Sequence, residues 1–331
     1  MTQQEIQNFL KEHPGYLKWG KYKIANKLGC KVEDVKEAKN IIKNDINVDI
    51  TPLLKPYKTY KLVEKKEEEN LPEVVQSPKI LIMDLETAPI KAFVWRLWKQ
   101  DVYIDQIISD WFLLTFSAKW LGSNEVISGR LTGKEALEES DYRIVKDLWN
   151  LIDEADIVIA HNGNSFDIPK MKARFAINGL PPTSFYQQID TKVIAAKEFG
   201  FTSNKLDFLA QTFGISKKIH TEFELWARCM KGEDKALEEM ETYNKHDVEI
   251  LEEVYMKLRP YIKNHPNVTL YDDKVSHGCP TCGSEHLVEE GFYYTSVGKF
   301  QVYRCEECEA LSRSRKAIKR GVTTGNLSLG R

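Results

Sequence analysis

The stretch Lys79-Ile80-Leu81-Ile82-Met83-Asp84-Leu85-Glu86-Thr87 decides how the rest of the chain is interpreted. Its apolar run from Ile80 to Met83 predicts a buried strand. Side chains alternate along a strand, so Asp84 and Glu86 share one face. Neighbouring carboxylates repel each other, and a hard cation such as Mg²⁺ or Mn²⁺ relieves that repulsion through oxygen ligands. For this pair alone, a strand that simply ends in solvent is an equally good interpretation.

A third acid follows a second apolar run. Residues 156–162 predict another buried strand, and a helix is expected to begin near Phe166 or Asp167. Asp167 then lies at a strand-to-helix junction, where the sites of open α/β sheets gather. The alternative is that Asp167 only caps the helix, which Asp does well.

The fourth acid lies on a predicted helix with a tyrosine. Residues 235–258 have the apolar spacing of a helix, and Tyr243 and Asp247 are four residues apart on one face. A charged side chain beside an apolar stripe needs a partner. The partner of Asp247 is either a metal ion or a base such as Lys245.

Together these residues resemble the DEDD-type 3′–5′ exonucleases, the DnaQ-like branch of the ribonuclease H-like fold. The resemblance is carried by Asp84-x-Glu86, the middle Asp167, and Tyr243-x3-Asp247, which matches the tyrosine subclass. The histidine subclass has His where this chain has Thr242. The run from Asn162 to Asp167 is similar to proofreading domains of family B DNA polymerases, and the resemblance covers roughly residues 79–260.

The resemblance implies an α/β fold with a mixed central sheet flanked by helices, and a site with two Mg²⁺ or Mn²⁺ ions. Asp84 is expected to bridge both ions, Glu86 and Asp247 to favour the ion that activates water, and Asp167 to hold the other. Tyr243 is expected to orient the water. The residues expected to contact substrate are Thr87, Asn162 and Phe166.

The implied activity is removal of nucleotides from a nucleic acid 3′ end as nucleoside monophosphates. DNA, single-stranded or with a 3′ end, is the favoured substrate over RNA. The alternatives are an exoribonuclease of the same family, a DNA-binding adaptor that no longer cuts, and a structure-selective endonuclease. A separate DNA polymerase is a candidate partner, in DNA replication.

A second metal site is predicted near residue 300. Two Cys-x2-Cys pairs lie about 20 residues apart, which is the spacing of a zinc ribbon. The predicted ligands of one structural Zn²⁺ are Cys279, Cys282, Cys305 and Cys308. Aromatic residues between the pairs predict a β-hairpin. Disulfides are the alternative, although nothing in the sequence indicates an oxidising compartment.

The first module is predicted to be helical. Helices are expected over residues 5–12, 22–28 and from Val32 to Ile42, with Gly29 ending the second. The pattern resembles a DNA-binding helix-turn-helix, with the helix after Gly29 as its recognition helix. A three-helix bundle that contacts protein is an equal alternative.

These signals divide the chain into a helical module (1–54), a charged linker (55–78), the exonuclease domain (79–272), the zinc ribbon (273–312) and a basic mobile tail (313–331). The whole chain has a formal net charge of −2, so a uniformly basic nucleic-acid-binding protein is excluded. The segment 79–273 has 24 Lys/Arg and 31 Asp/Glu, whereas 274–331 has 9 and 6. The flanking modules are therefore expected to supply the attraction to phosphates.

We expect no membrane segment and a cytoplasmic location. No apolar run is long enough to span a bilayer, and the first residues lack the basic and apolar parts of a secretory signal. Residues 92–120 contain four tryptophans among several other aromatics. Core packing is expected for most of them, and Trp95 or Trp98 is the candidate to stack on a terminal base.

Overall fold

The computed structural model describes residues 2–12, 21–45, 77–215, 221–272, 275 and 277–320. The chain divides into two compact units, Met1–Glu73 and Val74–Arg331. The predicted linker lies outside the described residues except for Ser77 and Pro78. The exonuclease domain and the ribbon, predicted as separate domains, fall within the second unit together.

The first unit contains the three predicted helices, α1 (Gln3–Glu12), α2 (Lys21–Leu28) and α3 (Val32–Asp45). Their apolar faces form one buried cluster, which includes Ile6, Leu10, Ile24, Ala25, Val35 and Ala38. Gly29 ends α2 with a φ of 62°, a left-handed conformation that favours glycine. The helix-turn-helix interpretation stays a prediction.

A mixed five-stranded sheet forms the centre of the second unit. Its strands are β1 (Ile80–Thr87), β4 (Leu113–Trp120), β5 (Val126–Arg130), β6 (Ile157–Ala160) and β7 (Gln187–Asp190), in the order β5-β4-β1-β6-β7. β1 is parallel to β6 and antiparallel to β4. Two short strands, β2 (Lys91–Ala92) and β3 (Ile107–Ser109), follow β1 and precede β4 in the chain, and they form a separate two-stranded sheet.

Helices cover this sheet. They are α4 (Gly133–Leu137), α5 (Tyr142–Glu154), α6 (Asp167–Ile177), α7 (Thr191–Glu198), α8 (Leu206–Phe213), α9 (Phe223–Cys229) and α10 (Asp234–Leu258). The predicted apolar stripe of α10 is buried, and its side chains join two core clusters. This α/β fold, a mixed central sheet flanked by helices, confirms the predicted fold class.

A buried ion pair fixes α6, the helix that begins at Asp167. Arg174 of α6 contacts Asp141 at 2.6 Å, and both side chains are largely buried. The Asp141 carboxylate also accepts a hydrogen bond from the backbone N–H of Leu113 at the start of β4. A buried charge that lost its partner would be strongly destabilising. The pair therefore joins α6 to the sheet.

The predicted ribbon hairpin is present as β8 (Leu287–Thr295) and β9 (Gly298–Cys305). The sheet continues beyond residue 312, where a mobile tail was expected. Both β10 (Leu311–Arg313) and β11 (Lys319–Arg320) pair with β9. Backbone pairing with an existing strand holds residues up to 320 in the fold, and residues 321–331 lie outside the described part.

The expectation that core packing explains most aromatics of residues 92–120 is wrong for the β2–β3 connection. Trp95 is 93% exposed and Trp98 is 80% exposed, and Phe93 and Tyr103 are also exposed. Phe112, which directly precedes β4, is buried as expected. The exposed residues lie in and beside the connection between β2 and β3, and these two strands are not part of the five-stranded sheet.

Among the described helices, none combines the length and the apolar character needed to cross a membrane.

Candidate metal centres

The structure brings three of the four predicted acids together. A carboxylate oxygen from each of Asp84, Glu86 and Asp247 lies within 4.8 Å of the others. The first two lie on β1, where the neighbouring Leu85 is buried on the opposite face. Asp247 reaches them from α10, which packs against β1. The predicted sharing of one face is therefore confirmed.

This donor set fits divalent cations of the Mg²⁺ and Mn²⁺ class. Three carboxylates at this separation repel one another unless protons or cations offset their charge. Hard cations take oxygen ligands, and a carboxylate cluster supplies them. The ammonium group of Lys245, the alternative partner of Asp247, pairs with Glu241 at 3.0 Å.

Asp167 lies beside this cluster but in a different environment. Its side chain is 2% exposed, and Oδ1 accepts a hydrogen bond of 3.2 Å from the backbone N–H of Leu85. It therefore contacts β1 between the two clustered acids of that strand. Burial raises the pKa of the Asp167 carboxyl to about 7, and the nearby Asp190 charge adds to the rise. The side chain of Asp167 is not the cap of α6, which begins without a side-chain cap.

Two residues that sequence reasoning missed position these acids. Asn244 is fully buried and donates a hydrogen bond from its amide nitrogen to Oδ2 of Asp84 at 2.7 Å. Asp190 accepts hydrogen bonds from the backbone N–H groups of Asn162 and Asn164, both at 3.0 Å. It also caps α7. Asp190 thereby holds the loop that leads into Asp167.

Sequence signals for both residues were present. Asn244 directly follows Tyr243 and lies four residues from both Met240 and Val248 of the apolar stripe, where a polar amide needs a partner. Asp190 ends a short strand and directly precedes a helix, so it lies at a strand-to-helix junction, as Asp167 was predicted to do. Neither signal identifies the partner, because the partner lies on a distant segment of the chain.

The acids line one cleft of about 540 Å³. Of the predicted substrate contacts, Asn162 and Phe166 also line it, whereas Thr87 ends β1 and is not among the lining residues. Asn162 has a φ of 70°, an uncommon conformation that Asn tolerates. Tyr243 lines the cleft and packs edge-on against Trp226, with ring centroids 6.3 Å apart.

Two lysines supply positive charge to this acidic cleft. Lys192 and Lys205 both line it, and the ammonium group of Lys192 donates to Oδ1 of Asn162 at 3.2 Å. Amines at such positions suit phosphate oxygens, which carry the negative charge of a nucleic acid backbone.

The four predicted cysteines form the second centre. Their sulfur atoms all lie within 4.8 Å of one another, with Cys279–Cys308 at 3.6 Å and Cys282–Cys305 at 3.5 Å. These separations exceed the roughly 2.05 Å of a disulfide. Four thiolates at about 2.3 Å from a tetrahedral Zn²⁺ lie about 3.8 Å apart, so the spacing fits zinc.

Comparison with known proteins agrees with this fold. The family model for the RNase_H superfamily matches residues 116–259, somewhat less than half of the chain. The match includes Asp167, Tyr243 and Asp247 and begins after the Asp84 strand. It identifies an RNase H superfamily domain and supports a nucleic-acid-cleaving enzyme. No curated protein sequence matches the chain.

Among solved structures, the chain is similar to the family B DNA polymerase of the hyperthermophilic archaeon Pyrobaculum calidifontis. The sequences are 16% identical and the TM-score is 0.41. The alignment covers 70% of this chain and 32% of the polymerase, so the chain spans about a third of that protein. At this level of similarity no functional conclusion is drawn from it.

We predict that Asp167→Asn stabilises the metal-free protein much more at pH 8 than at pH 5. The pKa of Asp167 is raised from 3.8 to about 7. The contribution of the protonated Asp167 carboxyl to the free energy of unfolding is therefore complete below about pH 4 and is lost as pH rises through about 7. The expected gain at pH 8 is a few kcal/mol, since one pKa unit corresponds to about 1.4 kcal/mol. Urea unfolding without divalent metal measures it, and an equal effect at both pH values contradicts the assignment.

We also predict that purified protein carries one zinc ion on the cysteine cluster. Cys282→Ser should lose that zinc and lower the thermal stability of the second unit, because the metal supplies folding energy to a small module. Cys30→Ser is the matched control, since Cys30 lies in the first unit, and it should keep full zinc content. Atomic absorption measures the zinc. Equal zinc in both variants contradicts the site.

Proposed function

We propose that this chain is a metal-dependent 3′–5′ exonuclease that releases nucleoside monophosphates, with DNA as the favoured substrate. The observation that carries the proposal is the cluster of Asp84, Glu86 and Asp247 oxygens within 4.8 Å, in a cleft of an RNase H superfamily fold. Their order along the chain, with Asp167 between them, is that of the DEDD-type enzymes.

The carboxylates of Asp84, Glu86 and Asp247 would hold divalent ions, and Asp167 would act from the adjacent wall of the cleft. When bound, such ions lower the pKa of a water nucleophile and offset charge on the phosphate in the transition state. Asn244 keeps Asp84 in its orientation through the hydrogen bond to Oδ2. A precise ligand geometry is required, because small displacements of catalytic groups cost large factors in rate.

Other residues of the cleft would bind and orient the substrate. Lys192 and Lys205 are placed to meet backbone phosphates, and Phe166 offers a ring for an unpaired base. The hydroxyl of Tyr243 would donate or accept a hydrogen bond to orient the attacking water. In this proposal Tyr243 does not remove the proton of the attacking water.

The preference for DNA is supported by the resemblance of the run from Asn162 to Asp167 to polymerase proofreading domains, and by the helix-turn-helix-like pattern of α2 and α3. A separate DNA polymerase as partner, a role in replication and a cytoplasmic location belong to the same proposal. RNA is a second substrate to be tested, because none of the described residues that line the cleft distinguishes ribose from deoxyribose.

The proposal predicts hydrolysis of a 5′-labelled DNA strand from its 3′ end in the presence of Mg²⁺ or Mn²⁺. The expected pattern is a ladder of shortened labelled products with nucleoside monophosphates released, and circular single-stranded DNA should survive. Asp84→Asn should reduce the rate by at least about a thousandfold, since it removes a ligand of the ions that supply the chemistry.

Tyr243→Phe should slow cleavage less, by about 10- to 100-fold, because only the orientation of water is lost. Matched 5′-labelled RNA distinguishes an exoribonuclease, and cleavage of the circle indicates an endonuclease. Binding without hydrolysis of any substrate, with either metal, contradicts the proposed activity and favours an adaptor.

A further inference from the structure

The ribbon sheet concentrates positive charge at one end. Residues 291–303 and 311–320 contain six Lys/Arg and no Asp/Glu. The six cations are Lys299, Arg313, Arg315, Lys316, Lys319 and Arg320. Strand pairing brings both segments onto β9, with Lys319 opposite Lys299 and Arg313 opposite Val302. The sequence alone gave no reason to place the predicted tail beside the hairpin.

Aromatic rings lie among these cations on both faces of the sheet. The Arg313 guanidinium lies 4.4 Å from the ring centroid of Phe300 and 5.3 Å from that of Tyr293. On the other face, the Lys299 ammonium lies 3.4 Å from the ring centroid of Phe292. On this second face, Tyr294 is 65% exposed, so its ring is accessible to a ligand, and Lys319 lies opposite Lys299.

Cations and exposed rings at one surface fit a single-stranded nucleic acid. Phosphates are attracted by Lys and Arg, and unpaired bases stack on aromatic rings regardless of sequence. The segment 79–273, which contains the acidic cleft, has seven more acidic than basic residues, by the counts of 31 and 24. That segment as a whole repels a polyanion, so cations elsewhere in the chain are needed to add to the attraction of Lys192 and Lys205 in the cleft.

The ribbon is joined through α10 to the segment that contains the acidic cleft. Tyr255 of α10 is buried, and its hydroxyl lies 2.8 Å from Nε2 of His265. Close to these residues, the Val268 N–H donates to the Pro280 carbonyl oxygen at 2.9 Å, which joins the core to the first cysteine knuckle. Asp247 lies two turns before Tyr255 on α10, about 12 Å along the helix.

The ribbon also meets the sheet at the end of β1 away from the acids. Ile80 and the knuckle residues Thr281, Cys282 and Gly283 line one cavity of about 940 Å³. Ile80 is six residues before Glu86, about 20 Å along a strand. Lys299 at the basic end is a further six residues, about 20 Å, along β9 from Cys305. A nucleic acid strand that contacts both regions is therefore several nucleotides long.

We propose that the basic and aromatic end of the ribbon sheet is a second binding site for single-stranded nucleic acid, which holds the strand several nucleotides from the end that enters the cleft. The binding site is inferred from the residues of the ribbon surface alone, whereas its use during cleavage rests on the proposed nuclease function. Bases stack on Tyr294 and Phe292, on the face that carries Lys299 and Lys319, and phosphates contact Lys319 and the nearby Lys316.

The direct test measures binding of a fluorescent oligodeoxythymidylate of about 20 nucleotides to full-length, zinc-loaded protein. It is done in the Asp84→Asn background without added Mg²⁺ or Mn²⁺, so binding is scored whether or not the protein is a nuclease. Lys316→Glu with Lys319→Glu should weaken binding at least about tenfold and reduce the slope of log K against log salt by about 1.4. Zinc content verifies that the ribbon is intact.

The matched control reverses two lysines elsewhere in the second unit, Lys134→Glu with Lys263→Glu, whose side chains are 82% and 76% exposed. It should change affinity by less than about twofold, although the net charge changes equally. Equal weakening by both pairs shows a nonspecific charge effect and overturns the site. Absence of oligonucleotide binding, or binding that the ribbon variants leave unchanged, also overturns it.

A second variant tests the aromatic part. Tyr294→Ala should weaken binding about five- to tenfold, whereas Tyr294→Phe should restore it, because a ring stacks without its hydroxyl. Loss of binding in both variants contradicts stacking. If the chain proves to be a nuclease, the ribbon variants should raise KM for strands of about 20 nucleotides and leave strands of about 3 nucleotides unaffected. Equal effects on both lengths contradict a distant contact.

Discussion

The proximity of three carboxylates that repel one another is the constraint on which this account depends. Asp84 and Glu86 are fixed on one face of β1 by strand geometry, and Asp247 is fixed by α10, whose apolar stripe is buried on the sheet. Burial of that stripe stabilises the helix in the one position that brings a third charge to the first two. The fold therefore maintains a negative cluster that divalent cations stabilise, and the core supplies the energy to do so.

The neighbouring residues keep the cluster and its surroundings in register. The amide of Asn244 fixes the orientation of Asp84, and Asp190 holds the loop before Asp167 through backbone N–H groups. The ion pair of Arg174 with Asp141 attaches α6 to the sheet. Each of these contacts joins segments that are far apart in the chain, so the site is preorganised by the tertiary structure.

The main elements of the core and the proximity of Asp84 and Glu86 were predictable from the sequence, because each rests on a local pattern. The run from Ile80 to Met83 has the apolar character of a buried strand, and Tyr243 and Asp247 have helical spacing. The partners of these residues were not predictable. Asn244 and Asp190 act through contacts across distant segments, and pairing of residues 319–320 with β9 gives no local signal in a basic, polar stretch. The exposed rings of Phe93 and Tyr103 were misjudged because composition favours aromatic burial, whereas their connection lies outside the central sheet.

Direct counting of bound Mn²⁺ tests the central claim that these carboxylates form a site for divalent ions. Titration at pH 8 of the zinc-loaded wild type, of Asp84→Asn and of Tyr243→Phe separates ligation from the orientation of water. The account predicts two Mn²⁺ ions for the wild type, nearly unchanged binding in Tyr243→Phe, and affinity at least about tenfold weaker in Asp84→Asn. Equal Mn²⁺ stoichiometry and affinity in Asp84→Asn and the wild type would contradict it.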